Sequence, residues 1–188
     1  MGLTIADAYY LKAKHASCGF FSDWNEVCEN LNYALSYDEE HCPSLLLLGE
    51  IYASSLAMNE KAFACFDKVI AIDPKNTEVY GSYIRYLIWA KEIDRAEKLI
   101  AFALTIKGID KAYILWLSAY LEDVKANYKQ SLKLLKQAKK DCYNDGYFNY
   151  MQNEERRIKR KIELEKPKKK KSSNSKKKKK KKQKKNKK

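Results

Sequence analysis

Proline and glycine are scarce in this chain, with three and six residues in 188. All-β proteins use both at their many turns, so the scarcity argues against that class. Alternating apolar and polar residues are rare as well, and the body reads as α-helical. Long apolar runs are also missing. The LLLL at 45–48 falls far short of the roughly 20 residues that a membrane-crossing helix needs, and the opening MGLTIADAYYLKAKHAS carries charge too early for a secretory signal. The cysteines (Cys18, Cys28, Cys42, Cys65, Cys142) are odd in number and never spaced as CxxC. Free thiols in a reducing compartment are expected, cytoplasmic or, in a eukaryote, nuclear.

Motifs that carry chemistry are missing too. There is no phosphate loop, triad or pair of carboxylates on one face, so the expectation is a non-enzyme with no cofactor. The only histidines are His15 and His41. His41–Cys42 stands beside three acids in YDEEHCPS but lacks the further donors that a metal requires. It is expected to be an exposed loop pair.

Acidic residues are absent after Glu165, and this reshapes the meaning of the formal charge of +14. All 24 acids lie before Lys166, with 22 of the 38 Lys and Arg, leaving the body at −2. The remaining 16 lysines belong to KPKKKKSSNSKKKKKKKQKKNKK, residues 166–188. Within the body, residues 1–60 hold nine acids against Lys12 and Lys14, a net of −7, whereas 61–165 sum to +5. The tail has no apolar residue beyond Pro167, so it cannot bury a core and is expected to be disordered. Its lysines Lys168, Lys169, Lys170, Lys171, Lys176, Lys177, Lys178, Lys179, Lys180, Lys181 and Lys182 form a candidate polyanion-binding element for nucleic acid or another anionic surface. No aromatic residue interleaves them, so sequence-specific stacking is not expected.

Internal repetition organises the body. Leu45, Leu48, Gly49 and Tyr52 are followed by Ala62, Phe66 and Pro74. The skeleton returns as Tyr80, Tyr83, Ile84 and Leu87, then Ala96, Ile100 and Ala103. It returns again, more worn, as Ile114, Leu117, Ser118 and Leu121, then Ser131, Leu135 and Ala138. Matched positions recur every 34 or 35 residues, and Val27, Leu31 and Ala34 extend the register backwards. The pattern resembles the tetratricopeptide repeat (TPR) family over residues 5–141. The resemblance implies an all-α solenoid of helical hairpins, wound as a right-handed superhelix with a concave face. The expected units are a degenerate hairpin at 5–41, repeats at 43–76, 77–110 and 111–141, and a capping helix within 142–165.

Helices are expected near 5–18, 23–37, 44–55, 60–72, 77–91, 95–107, 111–124, 127–141 and 145–165. Asn76, Asp110 and Asp94 (with Glu97) read as helix starts, and Gly108 as a stop. In the last helix, Phe148, Met151, Ile158 and Ile162 form an apolar stripe.

Members of the resembled family bind peptides along the concave face, which is lined by the first helix of each hairpin. Projected onto this chain, that face carries Glu50, Ser54, Arg85, Trp89, Glu122 and Asp123. Tryptophan and arginine dominate binding hot spots, so Arg85 and Trp89 stand out, although Trp89 also reads as a core residue. Glu50 stands where a carboxylate-gripping groove needs a neutral or basic residue, which argues against a terminal carboxylate as ligand. The sequence therefore points to an interaction scaffold for a peptide or protein. The alternative is an accessory protein that lives on nucleic acid through its tail. Ser172, Ser173 and Ser175 would lower the tail's charge if phosphorylated, and the tail also suits the acids Asp38, Glu39 and Glu40 of its own chain.

Overall fold

The computed structural model describes residues 2–18 and 23–165. The lysine tail and its candidate polyanion-binding residues lie outside the described residues. Within them the chain forms α1 (Ile5–Ser17), α2 (Trp24–Tyr37), α3 (Cys42–Ser54), α4 (Asn59–Ile72), α5 (Thr77–Trp89), α6 (Ile93–Ala103), α7 (Lys111–Val124), α8 (Tyr128–Lys140) and α9 (Asp145–Glu165). No described residue is in a strand.

Side-chain caps explain several helix starts. Thr4 and Asp7 close a capping box on α1, and Asp23 accepts backbone N–H groups at α2. Asn76 accepts from Glu78 N at 3.1 Å, and Asp110 from Tyr113 N at 3.0 Å. Two expected signals are displaced. The sixth helix begins at Ile93, so Asp94 sits inside its first turn, where a carboxylate favours the helix dipole without capping it. It also ends at Ala103, and Gly108, at φ +89°, belongs to the connection that follows.

Four hairpins, α1/α2, α3/α4, α5/α6 and α7/α8, stack in chain order. The first helices touch in a row, α1 to α3 to α5 to α7, while α2, α4 and α6 each lean on the first helix of the next hairpin. This closer spacing of the first helices places them on the inner side of the array.

Small residues set the approach distances. A Cβ on Gly49 would lie 2.7 Å from Phe66 Cε1, and one on Gly81 would lie 2.4 Å from Tyr113 Cε1. The first case seats α4 against α3, and the second seats the fourth hairpin against the third. In the worn third repeat, the fully buried Ser131 donates its hydroxyl proton to Ala119 O at 2.6 Å, which satisfies a polar group in an apolar seam.

The largest buried cluster runs from Leu45 through Phe66, Tyr80, Ile84 and Leu87 to Leu117 and Leu121. Leu35 and Tyr52 join it to a cluster between the first hairpin and α3, made of Ala13, Val27, Leu31, Leu48 and Ile51. Trp116 joins it to Ala119, Leu135, Ala138, Met151 and Ile158. The apolar seam is continuous from α1 to α9, and burying it is the principal source of stability in such arrays.

The hairpin turns repeat a backbone feature as well as a sequence. Ala57, Lys91 and Ala126 have φ of 53°, 65° and 60°. They recur at the repeat spacing, one in each described turn from first to second helix. The following N–H reaches back to close the turn in each case: Met58 to Tyr52 O, Glu92 to Leu87 O and Asn127 to Glu122 O.

Candidate interaction face

The inner side of the array is built by α3, α5, α7 and the start of α9. Trp89, at the last turn of α5, is 57% exposed and meets Tyr86 edge-on at 5.5 Å. It is therefore a surface residue and not core. The Arg85 guanidinium lies one turn earlier, 5.5 Å from the Trp89 ring and 5.1 Å from that of Tyr86. Arg85 forms no ion pair among the described residues, and its Nε is buried without a hydrogen-bond partner. The cation is held by aromatic faces alone, a contact whose strength rises as water is removed.

An aromatic wall continues from this pair. Tyr113 and Trp116 stack at 5.6 Å, and Trp116 stacks with Tyr120 at 6.1 Å. From α9, Tyr147 and Tyr150 stand edge-on to Trp116 at 6.3 and 5.6 Å. Burial pushes the Tyr113, Tyr147 and Tyr150 hydroxyls up from their ordinary range. They remain protonated at neutral pH and able to donate to a carbonyl oxygen. Sequence reasoning missed Tyr147 and Tyr150, although their i, i+3 spacing just before Met151 places them on one side of the helix. Beside the wall, a cavity of about 710 Å³ opens between Ile109–Tyr113 and Asp141–Tyr147.

The other projected residues have specific partners. Glu50 Oε1 accepts the Ser82 hydroxyl proton at 2.5 Å, which ties α3 to α5. Ser54 donates to Glu50 O at 2.7 Å within its own helix. Glu122 accepts from Lys125 Nζ at 3.0 Å and Asn127 Nδ2 at 2.9 Å, fastening the α7–α8 turn. Asp123 departs furthest from expectation. It is buried, and its carboxylate receives Arg157 at 2.9 Å and Lys161 at 2.8 Å from α9. Its role is to hold the last helix, because that helix lies over the end of the face where Asp123 was expected to be open.

His41 is also buried, contrary to the expected exposed loop. Its Nδ1 lies 2.7 Å from Ser44 Oγ and its Nε2 3.1 Å from Asp7 Oδ1, bridging the first two hairpins. The Thr4 backbone N–H and hydroxyl, together with His41, hold the Asp7 carboxyl down at about 2. All five thiols are unpaired, and burial pushes Cys28, Cys42 and Cys65 up, away from nucleophilic reactivity. Among the described residues no group of three or more His, Cys, Asp or Glu is placed to hold a metal, and no helix is long and apolar enough to cross a membrane.

Comparison with solved structures places this architecture. The structure of a MamA RS-1 ArsTM double mutant aligns with a TM-score of 0.61 at 14% identity, covering 84% of this chain and 90% of that one. A crystal structure of MamA aligns with a TM-score of 0.57 at 13% identity, covering 87% and 98%. The fold is that of a TPR-like helical repeat. No protein-family model and no curated protein sequence matches the chain, so the likeness is one of fold alone.

Proposed function

We propose that the protein is a non-catalytic interaction scaffold whose inner face binds an extended peptide or a segment of a partner protein. The units assigned to it are the hairpin at 5–41, the repeats at 43–76, 77–110 and 111–141, and the cap in 142–165. The observation that carries the reading is the exposed Trp89 with the unpaired Arg85 guanidinium beside it. An exposed tryptophan next to a half-buried, unpaired arginine combines a large apolar contact with directional donors, the pairing that concentrates binding energy at interfaces. The tyrosine wall adds rigid apolar area, and Glu50 and Ser54 supply a polar margin. Within this reading, the lysines at 168–171 and 176–182 add sequence-independent affinity for an anionic partner. Two weak sites on one chain bind together more tightly than either alone.

Screening the full chain against a displayed random-peptide library tests the inner face. The wild type is expected to enrich a related set of sequences, and Trp89→Ala to lose at least about tenfold of that binding, as for a central hot spot. Failure of the wild type to enrich any sequence, or equal enrichment by the variant, overturns the reading.

A further inference from the structure

The first hairpin meets the remainder of the array through α3, and no described helix packs against its opposite side. That side carries three tyrosines. Tyr9 of α1 stacks with Tyr33 at 5.4 Å and with Tyr37 at 5.8 Å, both from α2. Tyr33 and Tyr37 are 48% and 60% exposed. Glu26 and Glu29 precede them on α2, and Asp38, Glu39 and Glu40 follow directly, all exposed. None of these five carboxylates forms an ion pair among the described residues. The structure already shows one cation suited to such a surface, since Lys12 Nζ lies 4.8 Å from the centre of the Tyr9 ring. Aromatic faces bordered by carboxylates recognise ammonium groups through ring quadrupole and Coulomb attraction together.

We propose that this face is the docking site of the chain's own lysine segment, residues 166–188. The inference does not depend on what the inner face binds. Charge complementarity is its first support: residues 1–60 sum to −7, and the segment supplies 16 lysines with no acid. Reach is the second. The described chain ends at Glu165, at the far end of the array. Helix layers spaced about 8–10 Å apart put the first hairpin roughly 40 Å away, whereas 23 residues at up to about 3.4 Å each extend to nearly 80 Å. Tethering is the third, because a segment on the same chain acts at a high effective concentration that a separate molecule must exceed. Docking makes the acidic face and an external polyanion competitors for the same lysines, so the protein's affinity for anions is set by its own first hairpin.

Carbodiimide cross-linking of the full chain, which joins lysine amines to carboxylates as amides, tests the proposal when the products are mapped by mass spectrometry. Lysines of 166–188 are expected to couple preferentially to Glu29, Asp38, Glu39 and Glu40. Yield should fall at least about fivefold between about 10 mM ionic strength, where screening extends over about 30 Å, and about 1 M, where it extends over about 3 Å. The Tyr33→Ala/Tyr37→Ala double variant, altered only at exposed rings, should lower coupling to those four carboxylates and leave coupling elsewhere unchanged. In an equal mixture of ¹⁴N and ¹⁵N chains, products of a single isotope support docking within one chain. Predominantly mixed products, cross-links spread evenly over the acids of the body, or coupling insensitive to both salt and the tyrosine substitutions overturn it.

Discussion

The two ends of the array handle the same problem differently. Every stacked hairpin leaves one face for a neighbour, and the last neighbour must present a wet outer surface. At the far end α9 does this. Met151 and Ile158 enter the seam against Leu135 and Ala138, and Arg157 and Lys161 close on buried Asp123. Lys139 and Lys159 converge on Glu155, whose carboxyl they hold below the usual range. At the near end no described residue covers the tyrosine stack of α1 and α2, and the carboxylates that border it form no ion pair among the described residues. One end is closed by apolar burial and matched charge, while the other keeps aromatic surface and unmatched charge. Stability is therefore expected to depend more on the closed end than on the open one.

Truncation separates the two ends most sharply. Met151→Ala or Ile158→Ala, each at a position no more than 2% exposed, is expected to cost about 2–4 kcal/mol in urea unfolding. Tyr37→Ala at the open end should stay within about 0.5 kcal/mol. Comparable losses at both ends would erase the distinction. The next largest effect concerns the charged clasp. Asp123→Asn leaves Lys161 without its carboxylate and Arg157 with Glu154 alone, but both side chains are more than a third exposed (39% and 37%). Solvent screening limits the expected loss to about 1–2 kcal/mol, and amide exchange should accelerate in α9 before it does in α1.

The recurrent turns give a smaller effect of opposite sign. Ala57→Gly, Lys91→Gly and Ala126→Gly each relieve a side chain held at positive φ. Each should raise stability by about 0.5–1 kcal/mol, the strain released less the flexibility glycine adds to the unfolded chain. Exchange protection should rise locally, around α3/α4 for the first and α7/α8 for the last. Asp7 gives the smallest effect. Its folded pKa of about 2 lies below the ordinary 3.8, so its contribution is present above about pH 4 and is lost as pH falls through about 2. Asp7→Asn should slightly lower the unfolding midpoint at pH 7, and the gap should close as pH falls through about 2.

Helices were legible because their causes are local. Apolar spacing, small residues at 34- or 35-residue intervals and polar caps such as Asn76 and Asp110 all act within a few residues of their effect. The exceptions were also instructive. Asp94 has the right chemistry for a cap but stands two residues past the cap position, Glu92, of a helix whose entry is set by the turn at Lys91. The candidate face was legible only in part. Arg85 and Trp89 declare themselves by type and spacing. The partners of Asp123 lie 34 and 38 residues onward, and His41 meets Asp7 across 34. No local pattern announces such contacts, because they arise from how hairpins stack. The tyrosine plate was missed for the same reason, since Tyr9 and Tyr33 stand on different helices.

Gly81 has a consequence for shape. With Tyr113 seated directly on its Cα, the rotation from the third hairpin to the fourth is governed by whether position 81 bears a hydrogen or a carbon. A single methyl there would act as a wedge in a spiral staircase, widening the step between α5 and α7 and carrying α9 outward with the last hairpin. The bore of the coil, and with it the girth of anything it can wrap, is thus tuned at a position that itself touches no guest.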